Sequence, residues 1–203
     1  MRELAWQGSL LGARAPAFDP AMPGLTRHAL TADGWVDHLP GWLEGADEVF
    51  ATALDVLPWG QRTEHLHGQR LLQPRLTASI PVADPPRALA ILTDVGRVLD
   101  ARYGRHFARI GANLYRDGRD SVAWHGDRIA RDLPESVIAI VSVGAPRTFR
   151  LRPRGGGASL GFSLGSGDLL VMGGSCQRTW QHTVPKVAAA GPRISLTYRH
   201  AYH

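Results

Sequence analysis

The first half of the chain contains two stretches whose apolar residues recur at helical spacing. In residues 46–56 the apolar positions share one face, acidic residues occupy the first turn, and Pro58 follows the end. In residues 86–103 a longer apolar stripe begins close to Pro86, and Gly104 follows the last periodic residue. We therefore predict two helices, one in each stretch.

From Phe107 onward the pattern changes to short apolar runs separated by turn-forming Gly, Pro and Asp residues. The runs cover residues 107–116, 137–143, 148–152, 159–164, 168–172, 180–184 and 193–199. Many closely spaced short strands that follow a helix pair are typical of a double-sheet jelly roll. The predicted fold class is therefore α+β, a double-stranded β-helix (jelly roll) with supporting N-terminal helices.

The other segments are less regular. Residues 1–34 are rich in Pro, Gly and Ala, which predicts an extended arm with a short strand near 25–30. Residues 35–43 predict a strand that enters a turn, and residues 59–85 predict irregular structure. We therefore expect an N-terminal arm over 1–34 and one folded domain over 35–203.

The composition narrows the class of protein. A chain of 203 residues can bury one sizeable core. The single cysteine, Cys176, excludes an internal disulfide, a thiolate-rich zinc site and an iron–sulfur cluster, and it suits a reducing compartment. Because no apolar run is long enough for a signal peptide or a transmembrane helix, we expect a cytoplasmic monomer without membrane association.

The charge is unevenly distributed along the chain. Residues 1–96 carry 7 Arg against 11 Asp and Glu, whereas residues 97–203 carry 15 Arg and one Lys against 7 Asp and Glu. The net charges are −4 and +9. Biased codon usage explains a preference for Arg over Lys, but it does not explain this asymmetry. A basic second half favours an anionic partner, with nucleic acid as the first candidate.

The motif W-H-G-D-R offers a metal-binding pair. His125 and Asp127 are two residues apart, so on a strand they point to the same face. With His182 from W-Q-H-T-V they would form two histidines and a carboxylate on one side of a metal, as in non-haem Fe(II) oxygenases. On pattern alone the more frequent interpretation of His182 is a core histidine. The pair His65 and His67 is an alternative metal site, although it has no neighbouring third ligand.

Two arginines occupy unusual positions in the run R-I-S-L-T-Y-R. Arg193 and Arg199 are six residues apart and share one face of the predicted strand, while Ile194, Leu196 and Tyr198 share the other. Inward-facing arginines are costly without an anionic partner, and a dicarboxylate would supply one through bidentate hydrogen bonds. Upstream, Asn113 and Tyr115 also share one face of a predicted strand.

Taken in order, N-L-Y, H-G-D, the later histidine and R-I-S-L-T-Y-R resemble the AlkB family of Fe(II)/2-oxoglutarate dioxygenases, especially its actinobacterial AlkB-like members. The resemblance is loose over residues 36–200 and close over 107–200. It implies Fe(II), 2-oxoglutarate and O2 as cofactors. It also implies oxidative dealkylation of N-alkylated bases in DNA or RNA, a direct-reversal repair reaction.

The resemblance also implies roles for individual residues. The catalytic iron ligands would be His125, Asp127 and His182. Arg193 would pair with the distal carboxylate of 2-oxoglutarate, with help from Tyr115. Arg199 and Asn113 would lie nearer the end that chelates iron, and Ser195 would line the same pocket.

The sequence departs from the family in the region that would hold the base. The position two residues after Asp127 is often acidic in the family, but here it is Ile129. The segment after P-R-L, usually aromatic and glycine-bearing, contains no aromatic residue here. A flipped base is normally held by aromatic stacking. The remaining substrate candidates are Trp124, Arg128, Trp180, Trp59 and the imidazole of His125.

The nucleic-acid hypothesis predicts arginine contacts to phosphates and a preference for single strands. The phosphate-binding candidates are Arg116, Arg119, Arg128, Arg131 and Arg178. One alternative is a 2-oxoglutarate-dependent oxygenase of a small molecule or free nucleoside, which the missing aromatic lid favours. A second alternative is a non-catalytic nucleic-acid-binding protein, which the complete set of ligands and arginines disfavours.

Overall fold

The computed structural model describes residues 14–31, 33–66, 69–127 and 133–200. Its helices are α1 (Ala46–Val56), α2 (Ile91–Tyr103) and α3 (Cys176–Thr179), and a single 3-10 turn covers Arg87–Leu89. The strands are β1 (Ala17–Phe18), β2 (Thr26–Thr31), β3 (Gly34–Leu39), β4 (Leu43–Glu44), β5 (Thr63–Leu66), β6 (Gln69–Leu72), β7 (Leu76–Pro81), β8 (Phe107–Tyr115), β9 (Val122–His125), β10 (Ile138–Gly144), β11 (Arg147–Pro153), β12 (Leu160–Leu164), β13 (Leu169–Gly174), β14 (Trp180–Val184) and β15 (Arg193–His200).

Two antiparallel sheets form the body of the protein. The larger sheet has the order β2-β3-β13-β10-β15-β8-β7, and the smaller has the order β12-β11-β14-β9. One buried cluster joins Ile140 and Leu170 of the larger sheet to Phe149 and Leu164 of the smaller. The two sheets therefore pack face to face, which confirms the predicted jelly roll.

The other face of the larger sheet packs against the helices. A second buried cluster joins Val49 of α1 and Val95 of α2 to Val141 and Leu196 of that sheet. Because neighbouring residues of a strand point to opposite faces, β10 lies between the two clusters and is buried along its whole length. The predicted supporting role of the N-terminal helices is confirmed.

The helix predictions hold, with one change of boundary. Helix α1 has the predicted bounds, and α2 ends before Gly104, whose φ of 61° gives the left-handed cap. Helix α2 begins at Ile91 rather than at Pro86, because Pro86 is extended and the next three residues form the 3-10 turn. Leu89 is nevertheless fully buried, so the apolar stripe continues through this turn.

The prediction of irregular structure over 59–85 was wrong. Strands β5 and β6 form a two-stranded sheet there, and β7 adds an edge strand to β8. Strand β7 ends in Pro81, and a proline in a sequence argues against a central strand. Proline is nevertheless tolerated at the end of an edge strand. Within the predicted arm, residues 1–34, strand β2 pairs with β3. The domain boundary at residue 34 stays a prediction. None of the helices in the described part of the chain combines the length and the apolar composition that a membrane span requires.

Candidate functional site

The two candidate ligand histidines lie side by side on neighbouring strands. His125 of β9 pairs with His182 of β14, and their ring centroids are 4.3 Å apart. The Nδ1 atom of His125 lies 2.8 Å from the carbonyl oxygen of Ala123. Because a carbonyl only accepts hydrogen bonds, Nδ1 is the protonated nitrogen and Nε2 is left with a lone pair.

His182 is held in its neutral form by its surroundings. The side chain is buried, and Phe149 stacks on it with 5.2 Å between ring centroids. Burial, and next the proximity of His125, lowers the pKa of His182 to about 3. A neutral imidazole has a nitrogen lone pair at physiological pH, which is the form that binds a metal.

Asp127 does not lie on the strand that carries His125. Strand β9 ends at His125, and Asp127 is reached through Gly126, so the expectation that both residues share one strand face was wrong. A Cβ on Gly126 would lie 2.7 Å from the carbonyl oxygen of Gln177. This close approach requires glycine and brings the aspartate beside the histidines.

Two contacts orient Asp127. Its backbone N–H donates to Oε1 of Gln177 at 2.9 Å, and its Oδ1 accepts from Nη2 of Arg199 at 3.1 Å. Its Oδ2 is buried and has no hydrogen-bond partner among the described residues. Although burial acts to raise the pKa of Asp127, Arg199 and the two histidines hold it below its ordinary value. The carboxylate is therefore ionised with one oxygen free.

The donor set fits an iron site. Atoms of His125, Asp127 and His182 that can bind a metal lie within 4.8 Å of one another. The orphaned Oδ2 of the aspartate and the free nitrogen lone pairs are the ligands that Fe(II) takes in two-histidine, one-carboxylate sites. The predicted constellation is therefore assembled by the fold, and its role as the iron site stays a prediction.

The remaining predicted cofactor residues lie on β8 and β15, which are paired. Arg193 is opposite Tyr115, and Ser195 is opposite Asn113. The amide Nδ2 of Asn113 donates to Oγ of Ser195 at 3.3 Å. Arg199 lies near the other end of β15, about 20 Å from Arg193 along a strand that rises roughly 3.3 Å per residue. The two arginines therefore belong to different ends of the site.

At its end of β15, Arg193 is almost completely buried. Only 1% of the residue is exposed, its Nε donates to Oγ of Ser142 at 2.8 Å, and its guanidinium lies 5.4 Å from the ring centroid of Tyr115. Its Nη1 has no hydrogen-bond partner in the described part of the chain. Burial lowers the pKa of Arg193 to about 10, so it is a cation at neutral pH. A buried guanidinium with one free N–H group fits the distal carboxylate of 2-oxoglutarate.

At the iron end, Arg199 depends on a glycine. Gly111 lies opposite Thr197 on the neighbouring strand, and a Cβ there would approach Nη1 of Arg199 to 2.7 Å. The absence of a side chain at Gly111 lets the guanidinium reach Asp127.

Sequence reasoning missed four residues that contact the site. Gln177 and Ser142 hold Asp127 and Arg193, and Nε of Arg75 donates to Oδ1 of Asn113 at 3.1 Å. No local pattern signals these contacts. The fourth, Arg147, had a signal, because in R-T-F-R-L-R it shares the buried face with two apolar residues.

The substrate candidates are not brought together in one place. Trp124 precedes His125 on β9, so it points to the other face of the strand, where the guanidinium of Arg152 lies 4.2 Å from its ring centroid. Trp180 is buried between the sheets. Trp59 packs against the helix-side core. Stacking of a base on these residues stays a prediction.

Several expectations concern parts that lie outside the described residues. Arg128, Ile129 and Arg131 belong to this group, as does His67, and the side chain of His65 is not described either. The other phosphate-binding candidates differ from one another. Arg116 is paired with Asp120 at 2.7 Å and Arg119 with Asp117 at 2.7 Å, whereas Arg178 is exposed.

The chain is similar to known proteins over most of its length. The model of the 2OG-Fe(II) oxygenase superfamily matches residues 85–199. The bovine alpha-ketoglutarate-dependent dioxygenase alkB homolog 3 is 34% identical, over 88% of this chain and 68% of that protein. Its human counterpart is 32% identical, over 80% and 65%. The Arabidopsis thaliana DNA oxidative demethylase ALKBH2 is 32% identical, over 70% and 58%. The chain thus spans about two thirds or less of these relatives.

Solved structures support the fold alone. An oxidoreductase of the 2OG-Fe(II) oxygenase family from Burkholderia pseudomallei matches with a TM-score of 0.57 at 20% identity, over 83% of this chain and 85% of that one. A Trichoplax adhaerens prolyl hydroxylase matches with a TM-score of 0.56 at 13% identity, over 81% and 83%.

The jelly roll and its two-histidine, one-carboxylate cluster thus define a 2-oxoglutarate- and iron-dependent oxygenase. Within that superfamily, the chain belongs to the AlkB family. The resemblance seen in the sequence is confirmed, and the cofactors are Fe(II), 2-oxoglutarate and O2.

Proposed function

We propose that this protein removes alkyl groups from N-alkylated bases of DNA or RNA by Fe(II)- and 2-oxoglutarate-dependent oxidation. The observation that carries the proposal is the cluster of His125, Asp127 and His182 together with Nη1 of the buried Arg193, which has no hydrogen-bond partner among the described residues. Relatives that are named DNA oxidative demethylases support a nucleic-acid substrate.

The chain's own residues would prepare the iron end. His125, Asp127 and His182 would hold Fe(II) on one side. The bound iron, with 2-oxoglutarate and O2, supplies the oxidising chemistry that hydroxylates the carbon attached to the base nitrogen. Arg199 fixes one oxygen of Asp127 and leaves the other free. Ala123 sets the tautomer of His125 through its carbonyl.

At the distal end, the residues would bind and orient the cosubstrate. Arg193 would donate hydrogen bonds to the distal carboxylate of 2-oxoglutarate, because its Nη1 has no partner among the described residues. Ser142 fixes the guanidinium from one side, and Tyr115 covers it from another. The burial of Arg193 keeps water away from its guanidinium, which would strengthen the ion pair once it forms.

The substrate strand would be held by arginines that have no acidic partner in the described part of the chain. Arg116 and Arg119 are paired with aspartates, so they are weaker candidates than the sequence suggested. Arg178 beside the site, and Arg152 on the outer face of β11, form no ion pair there and would contact phosphates. We propose a preference for single strands, because no base pair need be opened before the base enters the site.

The decisive experiment is mass spectrometry of oligonucleotides that contain N-methylated adenine or cytosine. Single-stranded DNA, single-stranded RNA and duplex DNA are incubated with the protein, Fe(II), ascorbate and 2-oxoglutarate. We expect weak, broad loss of methyl groups that is faster on single strands. The Asp127→Ala variant is the inactive control, and Asp117→Ala, which removes a partly exposed acid outside the cluster, is the matched active control.

The alternative, an oxygenase of a small molecule or free nucleoside, predicts that no oligonucleotide is demethylated. The absence of aromatic residues between Trp59 and Tyr103 favours it, because a flipped base would lack a stacking partner there. If 2-oxoglutarate is turned over but no oligonucleotide loses a methyl group, the nucleic-acid proposal is wrong. Failure of DNA and RNA to bind below ~100 μM at low salt, just above the usual non-specific range, would lead to the same conclusion.

A further inference from the structure

Arg147 is a buried cation to which no role has been assigned above. It is the first residue of β11, and only 3% of it is exposed. It lies on the inward face of the strand with Phe149 and Leu151. Among the described residues, no carboxylate lies within ion-pair distance of Arg147. A buried charge without an ion-pair partner is expensive, and Asp120 and Asp117 act on Arg147 only from beyond ion-pair distance, so its presence needs an explanation.

The hydrogen bonds of Arg147 explain only part of its presence. Nη1 donates to the carbonyl of Asp117 at 3.0 Å, and Nη2 donates to those of Asp120 at 2.9 Å and Pro185 at 2.6 Å. These carbonyls precede β9 and follow β14, so the side chain ties together the two strands that carry the histidines. Carbonyl dipoles stabilise a guanidinium, but they do not neutralise it, and Nε has no partner in the described structure.

The charge of Arg147 lies beside the proposed cosubstrate site. Its guanidinium carbon is 5.6 Å from the ring centroid of Tyr115, and that of Arg193 is 5.4 Å from the same centroid. Two buried cations therefore flank one tyrosine. They repel each other, and Arg147 accordingly contributes to the lowered pKa of Arg193. A carboxylate bound to Arg193 would relieve this repulsion.

We propose that Arg147 is a second cation that selects a dicarboxylate at the distal end of the cosubstrate pocket. It acts as a positioning residue through its charge beside Tyr115, while Arg193 makes the direct contact. The inference rests on the proposed binding of the distal carboxylate by Arg193. It explains why this protein would discriminate strongly against 2-oxo acids that lack a second carboxylate.

The test compares two ligands that differ only at the distal end. In 2-oxopentanoate a methyl group replaces the distal carboxylate of 2-oxoglutarate. Calorimetry with the Mn(II)-loaded protein gives the affinity ratio of the two ligands for wild type, Arg147→Met, Arg147→Lys and Arg150→Met. The last variant removes an exposed arginine of the same strand and is the matched control.

We expect Arg147→Met to reduce the preference for 2-oxoglutarate about tenfold, because one cation near the carboxylate is lost. Affinity for 2-oxopentanoate should change by less than about twofold, since that ligand has no charge at this end. Arg147→Lys retains the charge and loses the forked contacts, so it should keep the preference. Arg150→Met should bind both ligands like wild type.

Equal losses for both ligands in Arg147→Met would show a purely structural clamp and overturn the inference. If that variant does not fold, Arg147→Lys decides, because a lost preference there would also overturn it. The proposed function is tested separately by Arg193→Ala. A preference that disappears in Arg193→Ala but persists in Arg147→Met would refute only the role of Arg147. A wild type without any preference would refute both.

Discussion

The two ends of β15 differ in whether their arginines have an acidic partner. At the iron end, Arg199 is paired with Asp127, and His182 is neutral. At the distal end, Arg193 and Arg147 are buried with no carboxylate within ion-pair distance in the described residues. Where the metal would bind, the protein thus supplies both members of an ion pair, Arg199 and Asp127. Where the second carboxylate of the cosubstrate would bind, the positive charge of the arginines would be neutralised by the ligand.

The largest effect is expected from removing the acid at the iron end. Asp127→Ala should abolish succinate formation and Mn(II) binding, because the carboxylate ligand is lost and Arg199 is left facing two histidines. Circular dichroism should show a folded protein, and Asp117→Ala should remain active. Turnover that persists in Asp127→Ala would remove this residue from the metal site.

The next largest effect is expected from removing Arg193 at the distal end, and it concerns the 2-oxoglutarate requirement. Arg193→Ala should raise the 2-oxoglutarate requirement more than about a hundredfold, since truncating one partner of a buried ion pair costs roughly 3–5 kcal/mol. Succinate formation against 2-oxoglutarate concentration measures it. An unchanged requirement would exclude Arg193 from the cosubstrate site.

The thermal stability of variants without bound ligands should also distinguish the two ends of β15. Arg199→Met leaves the buried carboxylate of Asp127 without its cation, and its melting temperature should fall. Arg193→Met removes a cation that has no acidic partner in the described structure, so its melting temperature should hold or rise. Thermal unfolding of the metal-free proteins gives both values. A larger loss for Arg193→Met would contradict the comparison.

A smaller effect is expected at Gly111. In Gly111→Ala the new Cβ would lie 2.7 Å from Nη1 of Arg199, so the guanidinium must move away from its position beside Asp127. We expect Mn(II) affinity to fall by about tenfold, the low end for loss of a group that orients a ligand. Gly161→Ala, whose Cβ would make an ordinary 3.6 Å contact, is the control. Equal metal affinities in the two variants would contradict this role.

The smallest effect concerns Cys176, which precedes Gln177 behind the iron end. Burial raises the pKa of its thiol to about 12, so the reactive thiolate is about one part in ten thousand at pH 8. Native protein should therefore resist iodoacetamide at pH 8, whereas denatured protein should react fully. Rapid native modification would indicate that this end is less closed than described.

The features that the sequence predicted best depend on the alternation of apolar and polar residues along a strand and on the order of motifs along the chain. In β15, Ile194, Leu196 and Tyr198 face the helices as expected, while Arg193 faces the second sheet. The cluster with His182 was predictable only with the family resemblance, because pattern alone allowed a core histidine. Strand β7 was missed since its pairing with β8 is a long-range contact, and the contact between Gln177 and Asp127 crosses 50 residues.

The position of β9 has a consequence for how the protein would lose and regain metal. Among the described residues, this four-residue strand is at the edge of the smaller sheet and pairs with β14 alone, through a shifted register. It carries His125 and leads directly to Asp127, whereas β10 is enclosed by strands on both sides. Amide hydrogens of β9 should exchange with solvent through local opening, long before those of β10. Iron exchange would then proceed by opening of this edge, at a rate independent of global unfolding.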